Sequence, residues 1–240
     1  MRLAAWHPTT LTDFPDKVAA VLFTAGCNLR CPFCHNPELV LPARIDEAAL
    51  LNGEEILIAL KDREGFLDGV VITGGEPTLQ PDLAEYVGRL KRVGLAVKLD
   101  TNGTRPDLVG RMIDDGLLDY VAIDAKAPPA RYAELTGVDD RSADVLKTID
   151  RLRRSTVDFE VRTTVAPGLG TSDIEAIVDW IGEVPRYVLQ PFRVPIDQGK
   201  GLLDPTWADR EALDPSELRV IWEGLADRFP KWSSGGGVRG

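Results

Sequence analysis

The sequence is poor in several residue types, and each shortage narrows what the chain can be. Its 240 residues include only three cysteines, two histidines and two methionines. Small disulfide-stabilised folds carry an even and larger set of cysteines. Three thiols cannot pair completely, so a disulfide framework is excluded. Unpaired cysteines agree instead with a reducing compartment.

Long apolar runs and an excess of basic residues are also missing. No run approaches the roughly 20 apolar residues that cross a bilayer, and the first residues lack the apolar core of a signal peptide. Lys and Arg number 28 against 38 Asp and Glu, which leaves a net charge of −10. A net negative charge does not favour binding to the negatively charged phosphate backbone of DNA or RNA. We expect a cytoplasmic protein that binds neither nucleic acid nor membrane.

Apolar β-rich runs alternate with amphipathic segments along the chain. Strands are predicted at 18–25, 69–73, 96–100, 120–124, 159–165 and 187–191, and helices at 46–61, 81–93, 106–115, 141–154, 172–182 and 215–228. Helix starts are expected at Asp46, Pro81 and Ser172, and Gly94 is placed to follow a helix end. Near-continuously apolar strands indicate burial on both faces, hence a parallel sheet covered by helices.

Six such β/α units predict the α/β class, as a partial, open (β/α)6 barrel of parallel strands in a single domain. A doubly wound open sheet is the alternative that periodicity leaves open. No repeat or shift in composition marks a boundary, so we predict one domain over residues 1–232. The Ser- and Gly-rich stretch 233–240 is predicted to be a disordered tail.

All three cysteines lie together as Cys27, Cys31 and Cys34, in the spacing C-x3-C-x2-C. So tight a loop is unsuited to disulfide geometry, whereas thiolates favour zinc or iron–sulfur clusters. Structural zinc takes four ligands, and His35 adjoins Cys34 and would point away from it. A [4Fe-4S] cluster held by three cysteines leaves one iron open, which is typical of a catalytic metal site.

Polar motifs follow the predicted strands at their carboxyl ends, where ligands bind in parallel α/β folds. They are Gly74-Gly75-Glu76, Asp100-Thr101-Asn102, Asp124 with Lys126, and Arg193. Glycines allow close backbone approach to a ligand, and buried carboxylates are costly without a cation or donor. The first two motifs, each taken alone, are also compatible with an ordinary turn. Arg162, within the fifth strand, offers a planar fork for a carboxylate or an ion pair with Glu160.

The cysteine spacing, with Phe33 just before the third cysteine, resembles the signature of the radical SAM superfamily. The stretches Thr-Leu-Thr-Asp-Phe-Pro-Asp-Lys at 10–17 and Val-Leu-Phe-Thr-Ala-Gly-Cys at 21–27 resemble more narrowly the anaerobic ribonucleoside-triphosphate reductase activating proteins. This narrower resemblance runs from about residue 8 to about residue 205. It implies the partial-barrel fold and a glycyl-radical-generating activase.

The resemblance also implies cofactors and partners. Cys27, Cys31 and Cys34 would bind a [4Fe-4S] cluster whose open iron chelates S-adenosylmethionine. A flavodoxin- or ferredoxin-type protein would donate the electron. The protein substrate would be a glycyl-radical enzyme, anaerobic ribonucleotide reductase, and Asp13 would contact its loop unless it is only a turn residue before Pro15.

Roles at the strand ends follow from the same resemblance. The backbone at Gly74, Gly75 and Glu76 would bind the amino group of the cofactor. A monovalent cation would lie near Asp100, Thr101 and Asp124. The remaining cofactor-binding residues would be Phe33, Asn102, Lys126, Arg162 and Arg193. At the position of Arg193, pyruvate formate-lyase activases tend to have a histidine.

Two other functions remain open on the sequence. One is a radical SAM enzyme acting on a small molecule, such as a deazapurine-forming synthase. The other is a non-catalytic adaptor in which the cysteine loop binds structural zinc.

Overall fold

Strands and helices alternate along the chain in a computed structural model that describes residues 1–194, 201–225 and 228, and the backbone of 237 and 238. The strands are β1 (Leu3–Thr10), β2 (Ala19–Thr24), β3 (Gly69–Gly74), β4 (Ala96–Thr101), β5 (Tyr120–Asp124), β6 (Asp158–Val165), β7 (Tyr187–Pro191) and β8 (Gly237–Val238). The helices are α1 (Pro37–Val40), α2 (Gly53–Lys61), α3 (Leu83–Arg92), α4 (Pro106–Asp114), α5 (Tyr132–Thr136), α6 (Ser142–Arg153), α7 (Thr171–Ile181) and α8 (Pro215–Leu225).

The strands follow one another in the sheet in chain order, from β1 to β8. β2 pairs with β3, β3 with β4, β6 with β7 and β7 with β8 in parallel register. The six predicted strands correspond to β2 through β7, and their near-complete burial agrees with a parallel sheet covered on both faces. The α/β class with parallel strands is therefore confirmed.

Strand β1 was not predicted, and it pairs with β2 in antiparallel orientation. It carries Pro8, which lacks an N–H donor and interrupts the strand pattern in the sequence. Proline is tolerated here because the β1–β2 register shifts between His7 and Thr10, around this residue. Strand β8 was also missed. It lies within 233–240, the rest of which is outside the described residues, so the disordered tail stays a prediction.

Helix boundaries follow local capping chemistry. The side chain of Asp46 accepts from the backbone N–H of Ala48 and caps a short 3-10 turn at Glu47–Ala49, so the predicted segment 46–61 is split and α2 begins only at Gly53. Helix α7 begins at Thr171, with Gly170 rather than Ser172 at its N-cap. Gly94 follows α3 with φ of +82°, as predicted for a C-terminal glycine.

The chain forms two compact units, and the prediction of a single domain over 1–232 stays a prediction. The first unit comprises Met1–Asn28, Glu38–Thr101 and Asp107–Val121. Its core includes a cluster of Phe14, Ala19, Val21, Val71 and Tyr120. The second unit comprises Leu29–Pro37, Asn102–Pro106 and Ala122–Gly240. Among the described residues, no helix is both long and apolar enough to span a bilayer.

Candidate functional site

The carboxyl end of β3 is bonded to the segment that leads into the first cysteine, all within the first unit. The N–H of Gly75 donates to the carbonyl of Thr24 at 2.8 Å, and that of Glu76 donates to the carbonyl of Gly26 at 2.7 Å. Gly26 directly precedes Cys27, a partly exposed residue. The Gly-Gly-Glu turn therefore fixes the backbone at the entrance of the cysteine loop.

The two glycines of this turn are needed for packing within the protein. A Cβ on Gly74, whose φ is +113°, would lie 2.4 Å from the Thr24 nitrogen, and one on Gly75 would lie 2.2 Å from the Gly26 carbonyl oxygen. Real Cβ atoms do not approach backbone so closely. The sequence-based expectation was close approach to a ligand, whereas the close approach seen here is to the chain's own backbone.

Glu76 has a buried carboxylate that organises the loop after β3. Its side chain is 1% exposed. Its Oε1 accepts from the backbone N–H of Thr78 at 3.0 Å, from the Thr78 hydroxyl, and from the Thr101 hydroxyl at 2.7 Å. Several donors on one oxygen are what a buried carboxylate requires. Thr101, expected beside a cation, thus joins the end of β4 to the end of β3.

Replacing Thr101 with valine will lower the free energy of unfolding by roughly 1.5 to 3 kcal/mol, because a buried charged acceptor loses a donor. Urea denaturation will measure the change. Thr101→Ser is the matched control, since it keeps the hydroxyl and should retain most of the stability. Unchanged stability in Thr101→Val, together with a loss in Thr101→Ser, would mean that the bond to Glu76 contributes nothing and that only methyl packing matters.

Asp100, at the end of β4, already has a cationic partner in the first unit. The Lys98 ammonium contacts its carboxylate directly. The Lys98 side chain is 1% exposed and that of Asp100 is 14% exposed. Asp100 therefore has, in Lys98, the cationic partner that a buried carboxylate requires.

In the second unit the segment from Cys31 to Cys34 forms a tight turn, and a later segment of the chain donates hydrogen bonds to it. The N–H of Cys34 donates to the carbonyl of Cys31 at 3.0 Å. The N–H groups of Leu203 and Asp204 donate at 2.9 Å to the carbonyls of Cys34 and Pro32. Cys31 is buried, Cys34 is partly exposed, and none of the three cysteines forms a disulfide.

Phe33 and the start of the loop are fixed by packing in the same unit. The Phe33 ring is 4% exposed and lies 5.8 Å, centroid to centroid, from that of Trp207. The N–H of Arg30 donates to the carbonyl of Thr136 at 2.7 Å. A Cβ on the following Gly137 would lie 2.5 Å from the Arg30 carbonyl oxygen. The aromatic residue of the motif is thus a buried anchor, and its predicted contact with the cofactor stays a prediction.

Asp124, Lys126 and Arg162 form an ion-pair cluster in the second unit. The Asp124 carboxylate accepts from Lys126 Nζ at 2.9 Å and from Arg162 Nε at 3.0 Å. Burial by itself would raise the pKa of Asp124, but the charges of Arg162 and Lys126 outweigh it and lower the pKa to about 2. Arg162 thus pairs chiefly with Asp124, since its distance to Glu160 is 4.0 Å.

Lys126 connects this cluster electrostatically with the cysteine loop. Burial alone would lower its pKa, but the negative charges of Asp124, Cys31 and Cys34 raise it. The ammonium is therefore held fully charged near two of the thiol groups. Placement of positive charge beside thiols favours their thiolate form, which is the form that binds metal.

Of three further predicted residues, two accept hydrogen bonds from nearby residues and the third has an exposed side chain. The Asn102 side-chain oxygen accepts from the backbone N–H and the hydroxyl of Thr104, the geometry of an ordinary turn. Asp13 is exposed and accepts from the Thr10 hydroxyl, as a turn residue does. Arg193 has an exposed side chain, and its carbonyl contacts the His35 ring. Functional roles for these residues stay predictions.

Several residues that shape these sites were missed in the sequence. Lys98 could have been recognised, because it shares a face with Asp100 two positions on in an otherwise apolar strand. Asp204 caps a 3-10 turn at Pro205–Asp209, but nothing in the sequence links that turn to the cysteine loop. In the described part of the chain, no three His, Cys, Asp or Glu side chains surround the position of a single metal ion.

Comparison with known proteins identifies the family. The profile of the radical SAM superfamily matches residues 21–181. The chain belongs to the radical SAM superfamily. A radical SAM enzyme carries a [4Fe-4S] cluster and uses S-adenosylmethionine, so these two cofactor predictions are supported at family level, whereas the monovalent cation is not addressed by the family match.

Two curated relatives of this radical SAM chain differ in what they are named for. One, from Methanocaldococcus jannaschii, is named "putative glycyl-radical enzyme activating enzyme" and is 36% identical over 188 residues, which make up 75% of each chain. The other, a 7-carboxy-7-deazaguanine synthase from Methanopyrus kandleri, is 36% identical over 132 residues, 48% of this chain and 52% of that protein.

A solved structure shows the fold. The Streptococcus suis protein SuiB, bound to its precursor peptide SuiA, superposes with a TM-score of 0.65 at 16% identity, over 92% of this chain. The radical SAM chain spans about half of the SuiB chain, 48%. The predicted fold class, a partial open barrel of parallel strands, is confirmed by this likeness together with the family match.

Proposed function

We propose that this radical SAM enzyme is an activase that cleaves S-adenosylmethionine reductively and generates a glycyl radical on a partner enzyme, anaerobic ribonucleoside-triphosphate reductase. The observation that carries the proposal is the 36% identity, over 75% of both chains, to a relative named for glycyl-radical enzyme activation. The resemblance of residues 10–17 to reductase activating proteins supplies the choice of partner.

The residues fit the cofactors that the family requires. Cys27, Cys31 and Cys34 would hold three irons of the cluster, which leaves the fourth open. Lys126, charged and near two of these cysteines, would partly neutralise the anionic thiolate cluster. Its pairing with Asp124 also keeps the ammonium oriented until a cofactor carboxylate competes for it.

The Gly-Gly-Glu turn fits the amino group of S-adenosylmethionine by polarity. The N–H groups of Gly75 and Glu76 already donate to Thr24 and Gly26. An ammonium group only donates hydrogen bonds, so it would bind the carbonyl oxygens of the turn rather than its N–H groups. The buried Glu76 carboxylate holds the turn in shape and adds negative potential for a cation.

Held by Cys27, Cys31 and Cys34, the cluster would supply the one electron for reductive cleavage of S-adenosylmethionine, and the cleaved cofactor would supply the oxidant that takes one hydrogen atom from the partner glycine. The electron comes from a flavodoxin- or ferredoxin-type donor. Arg162 and Lys126 would position the cofactor carboxylate, and Asp13, on the exposed loop between β1 and β2, would contact the partner.

A second candidate is a radical SAM enzyme acting on a small molecule. It is favoured by the 36% identity over 132 residues to 7-carboxy-7-deazaguanine synthase. That match covers 48% of this chain, against 75% for the activase relative, so it ranks second. The family match argues against the zinc-binding adaptor as a function for this chain.

A spectroscopic assay tests the proposal. Anaerobically reconstituted protein, S-adenosylmethionine, reductant and candidate reductase are mixed, and electron paramagnetic resonance is recorded. We expect a glycyl radical doublet together with 5′-deoxyadenosine. When the partner is labelled with deuterated glycine, the 5′-deoxyadenosine should gain one deuterium, because its hydrogen comes from the glycine Cα.

The matched control is the same partner with its radical glycine changed to alanine, which should give neither the doublet nor deuterium transfer. Cofactor cleavage that needs a small metabolite, yields 7-carboxy-7-deazaguanine and gives no glycyl signal would overturn the activase proposal in favour of the second candidate.

A further inference from the structure

The carboxylates expected to bind a monovalent cation do not fit that role, because side chains already neutralise them. In the first unit, Lys98 contacts Asp100. In the second unit, Lys126 and Arg162 contact Asp124 at 2.9 and 3.0 Å. A further cation beside either carboxylate would be repelled by the positive charge already present.

Lys98 is built into the first unit and is held there by more than one contact. It lies on the same face of β4 as Asp100, two residues away, and its strand neighbour on β3 is Val71 of the core cluster. Its ammonium also lies 5.9 Å from the centroid of the Tyr120 ring, a favourable cation–π arrangement.

Burial makes the pair with Asp100 obligatory. With 1% of its side chain exposed, Lys98 cannot turn its charge out to water without a rearrangement of the core. Separation of the pair would leave an uncompensated buried ammonium, which is strongly unfavourable. A metal ion bound to Asp100 would therefore lie close to the Lys98 ammonium, which cannot move away from this carboxylate.

We propose that Lys98 supplies, as a tethered ammonium, the positive charge beside Asp100 that a bound monovalent metal ion was expected to supply, so that cofactor cleavage needs neither K⁺ nor Na⁺. Because it concerns cofactor cleavage, this inference rests on the proposed function. The side-chain charge would hold Asp100 in one orientation at the end of β4, independently of the salt in the medium.

Salt substitution on the reconstituted enzyme tests this directly. Formation of 5′-deoxyadenosine is measured in KCl, NaCl and tetramethylammonium chloride at equal ionic strength. Wild-type rates should agree within about twofold. The rate of Lys98→Ala should fall roughly tenfold in tetramethylammonium chloride, which lies within the usual range of coupling between two ligands. K⁺ or NH₄⁺ should restore this rate. Lys91→Ala is the matched control, since Lys91 pairs with Asp119 at 2.6 Å in the same unit.

A second readout does not depend on the cluster. The melting temperature of the full chain, as purified, should be the same in all three salts for wild type and for Lys98→Arg. That of Lys98→Ala should rise saturably with K⁺, because the ion binds the folded state. If Lys98→Ala does not fold, the wild-type and Lys98→Arg comparisons still decide.

A tenfold requirement of wild-type cleavage for K⁺ or Na⁺, or a saturable rise of its melting temperature with either ion, would overturn the tethered-ammonium proposal. Equal rates of Lys98→Ala in every salt would overturn it as well. Absence of cleavage by wild type in any salt would instead count against the proposed function, and the melting measurements would still decide the role of Lys98.

Discussion

Replacing Cys31 with alanine will leave the chain without an iron–sulfur cluster and without cleavage of S-adenosylmethionine. Two cysteines cannot hold a [4Fe-4S] cluster that normally takes four ligands and here has three from the protein. The side chain is small, and the bond from the N–H of Cys34 to the carbonyl of Cys31 joins backbone atoms that alanine keeps, so the fold should survive. Iron and sulfide per chain after anaerobic reconstitution, and 5′-deoxyadenosine formed with reductant, are the measurements.

The control for folding is the melting temperature of the cluster-free protein, which should differ little between wild type and Cys31→Ala. Retention of a full cluster in the variant would mean that Cys31 is not a ligand. One equivalent of zinc in wild-type protein, with no iron or sulfide after oxygen-free purification, would instead support the structural-zinc alternative that the sequence left open.

The strands that carry the polar motifs were predictable because the residue pattern that identifies each strand lies within its own short stretch of sequence. β2, β3 and β5 are short and nearly all apolar, which is the pattern of strands buried on both faces. The ends of the strands were predicted to within two residues for the same reason. Motifs such as Asp100-Thr101-Asn102 could then be placed at the carboxyl ends without knowledge of the tertiary structure.

The partners of those motifs were not predictable, because they come from distant parts of the chain or depend on three-dimensional geometry. The bond from Leu203 to Cys34 joins residues far apart in sequence. An ion pair with Glu160 was the alternative left open for Arg162, but Arg162 lies closer to Asp124, 38 residues away. A pattern of residue types reveals that a carboxylate needs a partner, but not which of several nearby cations provides it.

Replacing Gly74 with alanine will destabilise the protein by about 2 to 6 kcal/mol, a large part of the usual stability of a domain. The alanine would have to adopt a φ of +113°, which side chains rarely allow. Its Cβ would lie 2.4 Å from the nitrogen and 2.5 Å from the oxygen of Thr24. Both atoms belong to the backbone of β2 and cannot turn aside as a side chain would. Relief of the clash requires separation of β2 from β3 at Thr24, three residues before Cys27.

Gly94→Ala separates the two causes of this loss. Gly94 also has a positive φ, +82°, but a Cβ there would meet nothing within 4 Å. Gly94→Ala should therefore lower the free energy of unfolding only by the cost of holding alanine at a positive φ, about 1 to 2 kcal/mol. Urea denaturation of both variants gives the comparison, and cluster loading should fall with Gly74→Ala but not with Gly94→Ala. Equal losses of stability would show that the close contact between Gly74 and Thr24 relaxes at no cost, and that this turn does not fix the entrance to the cysteine loop.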